Sequence, residues 1–370
     1  MSVRCPVVVA AGGTGGHLFA AAALSHALAA RGMEVHLITD ERAAKYGGDF
    51  PAYAIHKVAA ATPSSGAFFP RATAIFKLIR GTVAARRLVK RIRPGAVIGF
   101  GGYATVPPVL AATRLRVPTI LHEGNAVIGR ANRFLAGKVD VIAKGFEVLS
   151  GLPEALAAKT HLTGNPVRPM VIEAARVAFP ECSAGKLRIL VTGGSQGAAI
   201  FSDIVPAAIE LMPEAARQKL IIVQQARAED EERVRDAYRR LGVDAEVRSF
   251  FSDLPMRIAQ ANLVIARAGA STVSELAVIG RPAILVPLPH ALDQDQAANA
   301  KQFAATGAAI VVAQSAFSPQ WLVTALVEAL ADAASLARRA AAARGAGIPD
   351  AAERLADLVQ SLMSDKDKNP

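Results

Sequence analysis

Short apolar runs, each ending in glycines or a polar turn, alternate along this chain with longer alanine-rich stretches. Val7–Ala11 is the first such run. It leads into Gly12-Gly13-Thr14-Gly15-Gly16-His17 and a helical stretch from about Leu18 to Arg31, which Gly32 ends. Val35–Thr39 predicts a second strand. Ala96–Phe100, before Gly101-Gly102-Tyr103, and Thr119–His122 repeat the pattern. Strands alternating with helices imply a parallel sheet covered on both faces, so the reading is α/β.

The pattern breaks over residues 163–186 and then restarts. Leu187–Thr192 runs into Gly193-Gly194-Ser195-Gln196-Gly197-Ala198, echoing the opening of the chain. Further strands are expected at Leu220–Gln224, Ala245–Phe250, Leu263–Ala266 and Ala283–Val286. Two Rossmann-like, doubly wound domains are therefore expected, over residues 1–165 and 166–347, with a ligand cleft between them at the carboxyl ends of strands. Beyond Ser318 the chain reads as helical. Gly345–Pro349 interrupts it, a last helix is expected from Asp350 to Met363, and the polar residues 364–370 are expected to fray.

Composition narrows the class. The 370 residues are 52% hydrophobic and 20% charged, which suits two ordinary cores and excludes global disorder. Cys5 and Cys182 cannot make a disulfide framework or a four-ligand zinc site, so a reduced cytoplasmic chain is expected. Nothing at the start reads as a secretory signal, and no stretch is long and apolar enough to span a bilayer. The net charge of +11 is concentrated. Between Asp49 and Glu123 there is no acidic residue but eleven basic ones: Lys57, Arg71, Lys77, Arg80, Arg86, Arg87, Lys90, Arg91, Arg93, Arg114 and Arg116. Phe68, Phe69, Ile75, Phe76 and Ile79 lie among them. This is the composition of a segment resting on an anionic membrane. The alternative is an ordinary helix with Ile75, Ile79 and Val83 facing the core. No recognised nucleic-acid motif is present.

Glycines between a strand and a helix let backbone approach a ligand, and the helix start offers N–H groups with partial positive charge. A nicotinamide enzyme would use such a turn, with Asp40 on the ribose. The glycines at 12, 13, 15 and 16 do not give G-x-G-x-x-G, however, and His17 stands where that fingerprint wants a small residue. No Walker sequence occurs. In the second half, Gly269-Ala270-Ser271-Thr272-Val273-Ser274-Glu275 places hydroxyls, N–H groups and a carboxylate at a helix start, suited to a diphosphate and a ribose. The alternative is a capping box in which Ser271 or Thr272 and the downstream acid order the helix start. Asp293-Gln294-Asp295 has the Asp-x-Asp form seen in some metal sites. Here it is read as part of a donor loop.

Taken in order, Gly-Gly-Thr-Gly-Gly-His at 12–17, Gly-Gly-Tyr at 101–103, His-Glu-Gly-Asn at 122–125 and Thr-Gly-Asn-Pro-Val-Arg at 163–168 carry a resemblance. Gly-Gly-Ser-Gln-Gly-Ala at 193–198, Gly-Ala-Ser-Thr-Val-Ser-Glu at 269–275, and Gln296 with Asn299 complete it. Over nearly its whole length the chain resembles the bacterial family of transferases that add N-acetylglucosamine to undecaprenyl-diphospho-N-acetylmuramoyl-pentapeptide (the MurG family). It departs from the family at Gly124, usually glutamine, and Ala20, usually proline. The resemblance implies a glycosyltransferase-B fold whose last helix, 348–364, rejoins the first domain.

It also implies a division of labour. The second domain would hold UDP-N-acetylglucosamine: Glu275 on the ribose, Ala270, Ser271, Thr272, Val273, Ser274 and Ser195 on the diphosphate, Phe251 beside the uracil, and Gln296 on the sugar hydroxyls. Thr14, Gly15, Gly16, Asn125 and Arg168 are implied as further donor contacts, and His17 as the candidate base for the acceptor's C4 hydroxyl. The acceptor is the undecaprenyl-linked muramoyl-pentapeptide, and the expected linkage is β, hence a single inverting displacement. No tightly bound cofactor or metal is implied, and assistance by a divalent cation stays open. Phe68, Phe69, Ile75, Phe76 and Ile79, with Lys77 and Arg80, would rest on anionic lipids at the cytoplasmic face of the inner membrane. The competing readings are a transferase for another lipid or metabolite and a non-catalytic nucleotide-sugar sensor.

Overall fold

A computed structural model of the chain describes residues 5–12, 15–40, 50–60, 68–181, 185–194, 197–289 and 294–368; the side chains of residues 68–75 and 365–368 are outside the description. The chain divides into two compact units, one running to Arg168 and resuming at Pro349, the other spanning Pro169–Ile348.

In the first unit β1 (Val7–Ala10), β2 (Val35–Thr39), β3 (Ala54–Lys57), β4 (Ala96–Gly99), β5 (Thr119–Glu123), β6 (Val141–Lys144) and β7 (Thr160–Leu162) form a parallel sheet in the order β3-β2-β1-β4-β5-β6-β7. Successive strand residues point to opposite faces, and both faces are buried. Val7, Val9, Leu37 and Ile98 pack under α1 (Gly15–Ala30). Val8, Ile38, Val97 and Leu121 pack under α2 (Phe68–Ile92), α3 (Val106–Arg114) and α4 (Arg130–Ala136).

The second unit opens with α5 (Pro169–Ala174). Its strands are β8 (Leu187–Thr192), β9 (Leu220–Gln225), β10 (Asp244–Arg248), β11 (Leu263–Ala266), β12 (Ala283–Leu285) and β13 (Ala309–Val311), parallel in the order β10-β9-β8-β11-β12-β13. Numbered within the unit this is 3-2-1-4-5-6, the dinucleotide-fold order. The helices are α6 (Ala199–Leu211), α7 (Glu214–Arg217), α8 (Glu231–Arg240), α9 (Leu254–Gln260), α10 (Ala270–Ile279), α11 (Asp295–Ala305), α12 (Pro319–Ala331) and α13 (Ala333–Gly345). Arg281 is fully buried, and its guanidinium donates to the carbonyls of Ala259, Ile279, Gly280, Val177 and Ala178. A cation there complements the negative carboxyl ends of α9 and α10. Burial, with Arg344 nearby, pulls it down to about 10, still charged at neutral pH.

Helix α14 (Ala351–Lys368) belongs to the first unit. Leu355, Ala356 and Val359 are fully buried against α1, in one cluster with Leu24 and Leu28. Each such leucine contributes roughly 1.5–3 kcal/mol by leaving water. Arg31, in the turn just after α1, also bonds Asp357 at 2.6 Å, Glu353 and Gln360. Those carboxylates are well exposed, so the ion pairs add only about 0–1 kcal/mol each.

Four expectations are corrected. Helix α1 starts at Gly15 rather than Leu18, so Gly15, Gly16 and His17 form its first turn. Strand β10 spans Asp244–Arg248, leaving Ser249 and Phe250 in the loop that follows. The stretch beyond Ser318 breaks at Asp332, whose Oδ1 accepts the Ser335 N–H at 2.8 Å and caps α13. Helix α14 continues through Lys368 where fraying from Ser364 was expected. Among the described residues no helix is long and apolar enough to cross a membrane.

Candidate functional site

In a doubly wound sheet the ligand crevice forms at the carboxyl ends of the two strands where the strand order reverses. In the first unit these are β1 and β4, and the loops after them meet. His17 Nδ1 lies 3.2 Å from the Gly12 carbonyl, which can only accept, so the proton sits on Nδ1 and Nε2 is the basic nitrogen. Gly101 and Gly102, at φ +90° and +73°, turn the second loop against this ring; a Cβ on Gly101 would stand 3.2 Å from His17 Nε2. Gly15 and Gly16 contribute first-turn N–H groups of α1. Arg168 stacks over Phe19 of the same helix at 4.5 Å.

Behind this loop pair the motif at 122–125 is ordered from within. His122 is buried, donates from Nε2 to the Gly164 carbonyl at 3.2 Å, and is pushed down to about 4 by burial, with His17 adding to the shift against the Gly164 bond. It is neutral at pH 7. Glu123 is buried too. One oxygen accepts from the Asn125 N–H (3.0 Å), and the other from the Gly129 N–H and Asn132 Nδ2 (both 2.9 Å). The Glu123 carboxylate thus fixes the loop bearing Asn125. Gly124, where the resembling family has glutamine, accepts from Asn165 Nδ2 through its carbonyl at 2.8 Å.

In the second unit the reversal lies between β8 and β11. After β11, Gly269 is the N-cap of α10 with no side-chain cap bond, and the helix runs from Ala270. A capping box needs its acid at the third helical position. Glu275 is the sixth, so the capping alternative does not hold. Glu275 is buried in the second turn, while Ser271 and Thr272 in the first turn are half-buried. Ser274 donates its hydroxyl proton back to the Ala270 carbonyl at 2.8 Å. Val273, in contrast, packs inward. Gln296 on α11 is brought to this turn: its Oε1 accepts from the Ala268 N–H (3.3 Å) and the Leu288 N–H (3.1 Å). With its oxygen so engaged, the NH₂ is the end it can offer a ligand. Asn299 braces the same turn, donating to the Ala268 carbonyl at 3.2 Å.

In the loop after β10, Phe251 is only 6% exposed, and Arg257 lies 4.4 Å above its ring. Its neighbour Phe250, not singled out from the sequence, is 69% exposed and is the aromatic surface open at this loop. Thr14, Ser195 and Asp293 lie outside the described residues, while Asp295 accepts the Gln296 N–H at the start of α11. Among the described residues no cluster of three or more His, Cys, Asp or Glu could hold a metal ion. Glu123, Thr192 and Gln225 were also missed. Their signal was a polar residue closing an apolar run.

The basic block forms α2. Phe76 is 59% exposed, Ile79 57% and Val83 48%, while Ala85, Leu88 and Val89 are buried. The core-helix alternative, with Ile79 and Val83 inside, is therefore overturned. Arg80 stacks on Phe76 at 5.8 Å, and Lys77 and Arg80 are exposed. Phe68, Phe69 and Ile75 have side chains outside the description.

Two family descriptions match the chain: the glycosyltransferase family 28 N-terminal domain over residues 7–144 and its C-terminal domain over residues 188–355. A protein of Methylorubrum populi, named UDP-N-acetylglucosamine–N-acetylmuramyl-(pentapeptide) pyrophosphoryl-undecaprenol N-acetylglucosamine transferase, is 55% identical over 97% of this chain and 98% of its own length. A protein of the same name from Sinorhizobium fredii is 54% identical over 97% of this chain and 95% of its own. The crystal structure of MurG from Acinetobacter baumannii superposes with a TM-score of 0.78 at 30% identity, covering 96% of this chain and 99% of that one, and the fold is that of glycosyltransferase-B enzymes. On sequence and fold together, the chain belongs to the family of UDP-N-acetylglucosamine–N-acetylmuramyl-(pentapeptide) pyrophosphoryl-undecaprenol N-acetylglucosamine transferases, within glycosyltransferase family 28.

Proposed function

We propose that this chain moves N-acetylglucosamine from UDP-N-acetylglucosamine to the C4 hydroxyl of undecaprenyl-diphospho-N-acetylmuramoyl-pentapeptide, with inversion, in peptidoglycan synthesis. The observation that carries the reading is the start of α10: a glycine N-cap at the carboxyl end of β11, with Glu275 buried one turn further on. The diphosphate sits at this helix end, against the first-turn N–H groups of Ala270, Ser271 and Thr272 and the hydroxyl of Ser195. Glu275 accepts from the ribose hydroxyls, Gln296 donates through its NH₂ to the sugar, and Phe251 flanks the uracil. Thr14, Gly15, Gly16, Asn125 and Arg168 make further donor contacts.

The chemistry follows from charge. As the anomeric bond lengthens, negative charge grows on the departing diphosphate while the sugar becomes oxocarbenium-like. N–H groups already aimed at that charge stabilise the transition state more than the ground state, and one well-placed donor of this kind is worth about 2.7–4 kcal/mol. The acceptor oxygen forms the new bond on the opposite face, UDP leaves with the bonding pair, and His17 Nε2 takes the hydroxyl proton. The tautomer set by the Gly12 carbonyl supports that role.

The acceptor's lipid gives the exposed apolar and basic face of α2 its purpose: peripheral attachment to anionic lipids at the cytoplasmic face of the inner membrane. Each basic residue near such a surface contributes about 1 kcal/mol. Incubation with UDP-N-acetylglucosamine and a panel of prenyl-linked acceptors, followed by mass analysis, tests the whole proposal. The expected product is the muramoyl lipid heavier by one N-acetylhexosamine. Preference for a different acceptor favours the other-lipid transferase, and UDP binding without transfer to any acceptor favours the sensor.

A further inference from the structure

The carboxyl ends of β8, β9 and β10 are joined by a polar connection that the donor reading leaves unused. The Thr192 hydroxyl donates to Gln225 Oε1 at 2.8 Å, and Gln225 Nε2 donates to the Ser249 carbonyl at 3.2 Å. The Thr192 hydroxyl oxygen also accepts the Gly194 N–H at 3.4 Å. Both side chains are buried, and each closes a strand that is otherwise largely apolar. Ser249 leads directly into Phe250 and Phe251, the loop read as the base subsite. Thr192 leads directly into Gly193 and Gly194, the loop read as facing phosphate. A Cβ on Gly193 would lie 2.3 Å from the Ala198 N, so the two ends of that second loop approach each other closely.

We propose that Gln225 is a positioning residue which, through Thr192 and Ser249, sets the spacing between the base loop and the glycine loop and so the span over which a nucleoside diphosphate is gripped. The inference rests on the donor reading given above. A ligand with two anchoring ends gains over its separate halves only while the two subsites stay at the ligand's own spacing. Buried hydrogen bonds in series reinforce one another, and a break in either link releases the spacing; loss of the Thr192 hydroxyl also gives up the long Gly194 N–H bond of 3.4 Å, which a change at Gln225 keeps.

The test titrates UDP, uridine and inorganic pyrophosphate into the full chain and its variants. Thr192→Val and Gln225→Met should each weaken UDP about fivefold, the effect of one modest hydrogen bond. Uridine and pyrophosphate should stay within about twofold of the parent chain. Because the links act in series, the double variant should bind UDP no more weakly than either single one, and Thr192→Ser, which keeps the hydroxyl, should restore parental affinity. Unchanged UDP affinity in Thr192→Val, a loss of uridine equal to that of UDP, or fully additive losses would each overturn the inference. Thr192→Val preserves the side-chain shape and decides the matter alone if Gln225→Met does not fold. Glu275→Ala is the separate control: UDP affinity unchanged there removes the donor reading itself, whatever the strut variants do.

Discussion

In the first unit His17 donates from Nδ1 to the carbonyl oxygen of Gly12 across 3.2 Å, so the loop that ends β1 selects the tautomer of the side chain that starts α1. Replacing His17 by Ala should therefore remove a base while leaving donor affinity alone. The expected result is a fall in kcat of about 10²–10⁴, with KM for UDP-N-acetylglucosamine nearly unchanged. Steady-state kinetics with a short-chain acceptor reads both, and an intact kcat would rule His17 out.

Glu275 is a different case, because the role proposed for its carboxylate is in binding. Hydrogen bonds to a charged group are worth roughly 1.5–3 kcal/mol, so Glu275→Ala should raise the donor KM about tenfold or more. Glu275→Gln, which keeps an acceptor oxygen but loses the charge, should fall between. If 2′-deoxy-UDP-N-acetylglucosamine is penalised as much in the alanine variant as in the parent chain, the ribose is held elsewhere.

Replacing Phe76 and Ile79 together by Ser should reduce sedimentation with vesicles containing anionic lipid. Activity on a water-soluble acceptor analogue should persist, since both side chains are exposed and no core packing is lost. Added salt should weaken vesicle binding in the parent chain as the basic residues are screened. Equal loss on lipid-linked and soluble acceptors would show that these residues serve the fold.

His122 predicts a pH dependence with a definite sign. An unfolded imidazole titrates near 6.5, and the folded one only near 4. Between these values the unfolded chain binds a proton that the folded chain does not, so stability present above pH 6.5 declines as pH falls toward 4. At pH 5 the loss is of the order of 2 kcal/mol. Urea midpoints at pH 7 and pH 5 should show that loss, and it should shrink in His122→Phe. A slope identical in the two proteins would assign the acid sensitivity to other groups.

The strand–glycine–helix alternation was readable from residues alone because parallel strands buried on both faces leave continuous apolar runs. The edge strands β3 and β7 were not, since half-exposed positions break that run. The start of α1 was hidden by Gly15 and Gly16, poor helix formers that nonetheless form its first turn. On α2 the apolar residues fall on two sides, at 76, 79 and 83 and at 85, 88 and 89, and only packing against α3 decides which side is covered. At the start of α10 the capping box and the ribose contact looked alike in sequence. The N-cap at Gly269 excludes the capping box. The Thr192–Gln225–Ser249 connection joins three strands and could not be seen from any one of them.

Helix α14 completes the core of a unit begun more than 300 residues earlier. During synthesis the first unit must wait, with Leu24 and Leu28 uncovered, while the second is made and can fold first, the reverse of the usual order on the ribosome. A shortened messenger or a clipped carboxyl end would thus damage the opposite end of the polypeptide. The earliest sign of such damage should be aggregation through α1, with the second unit still intact.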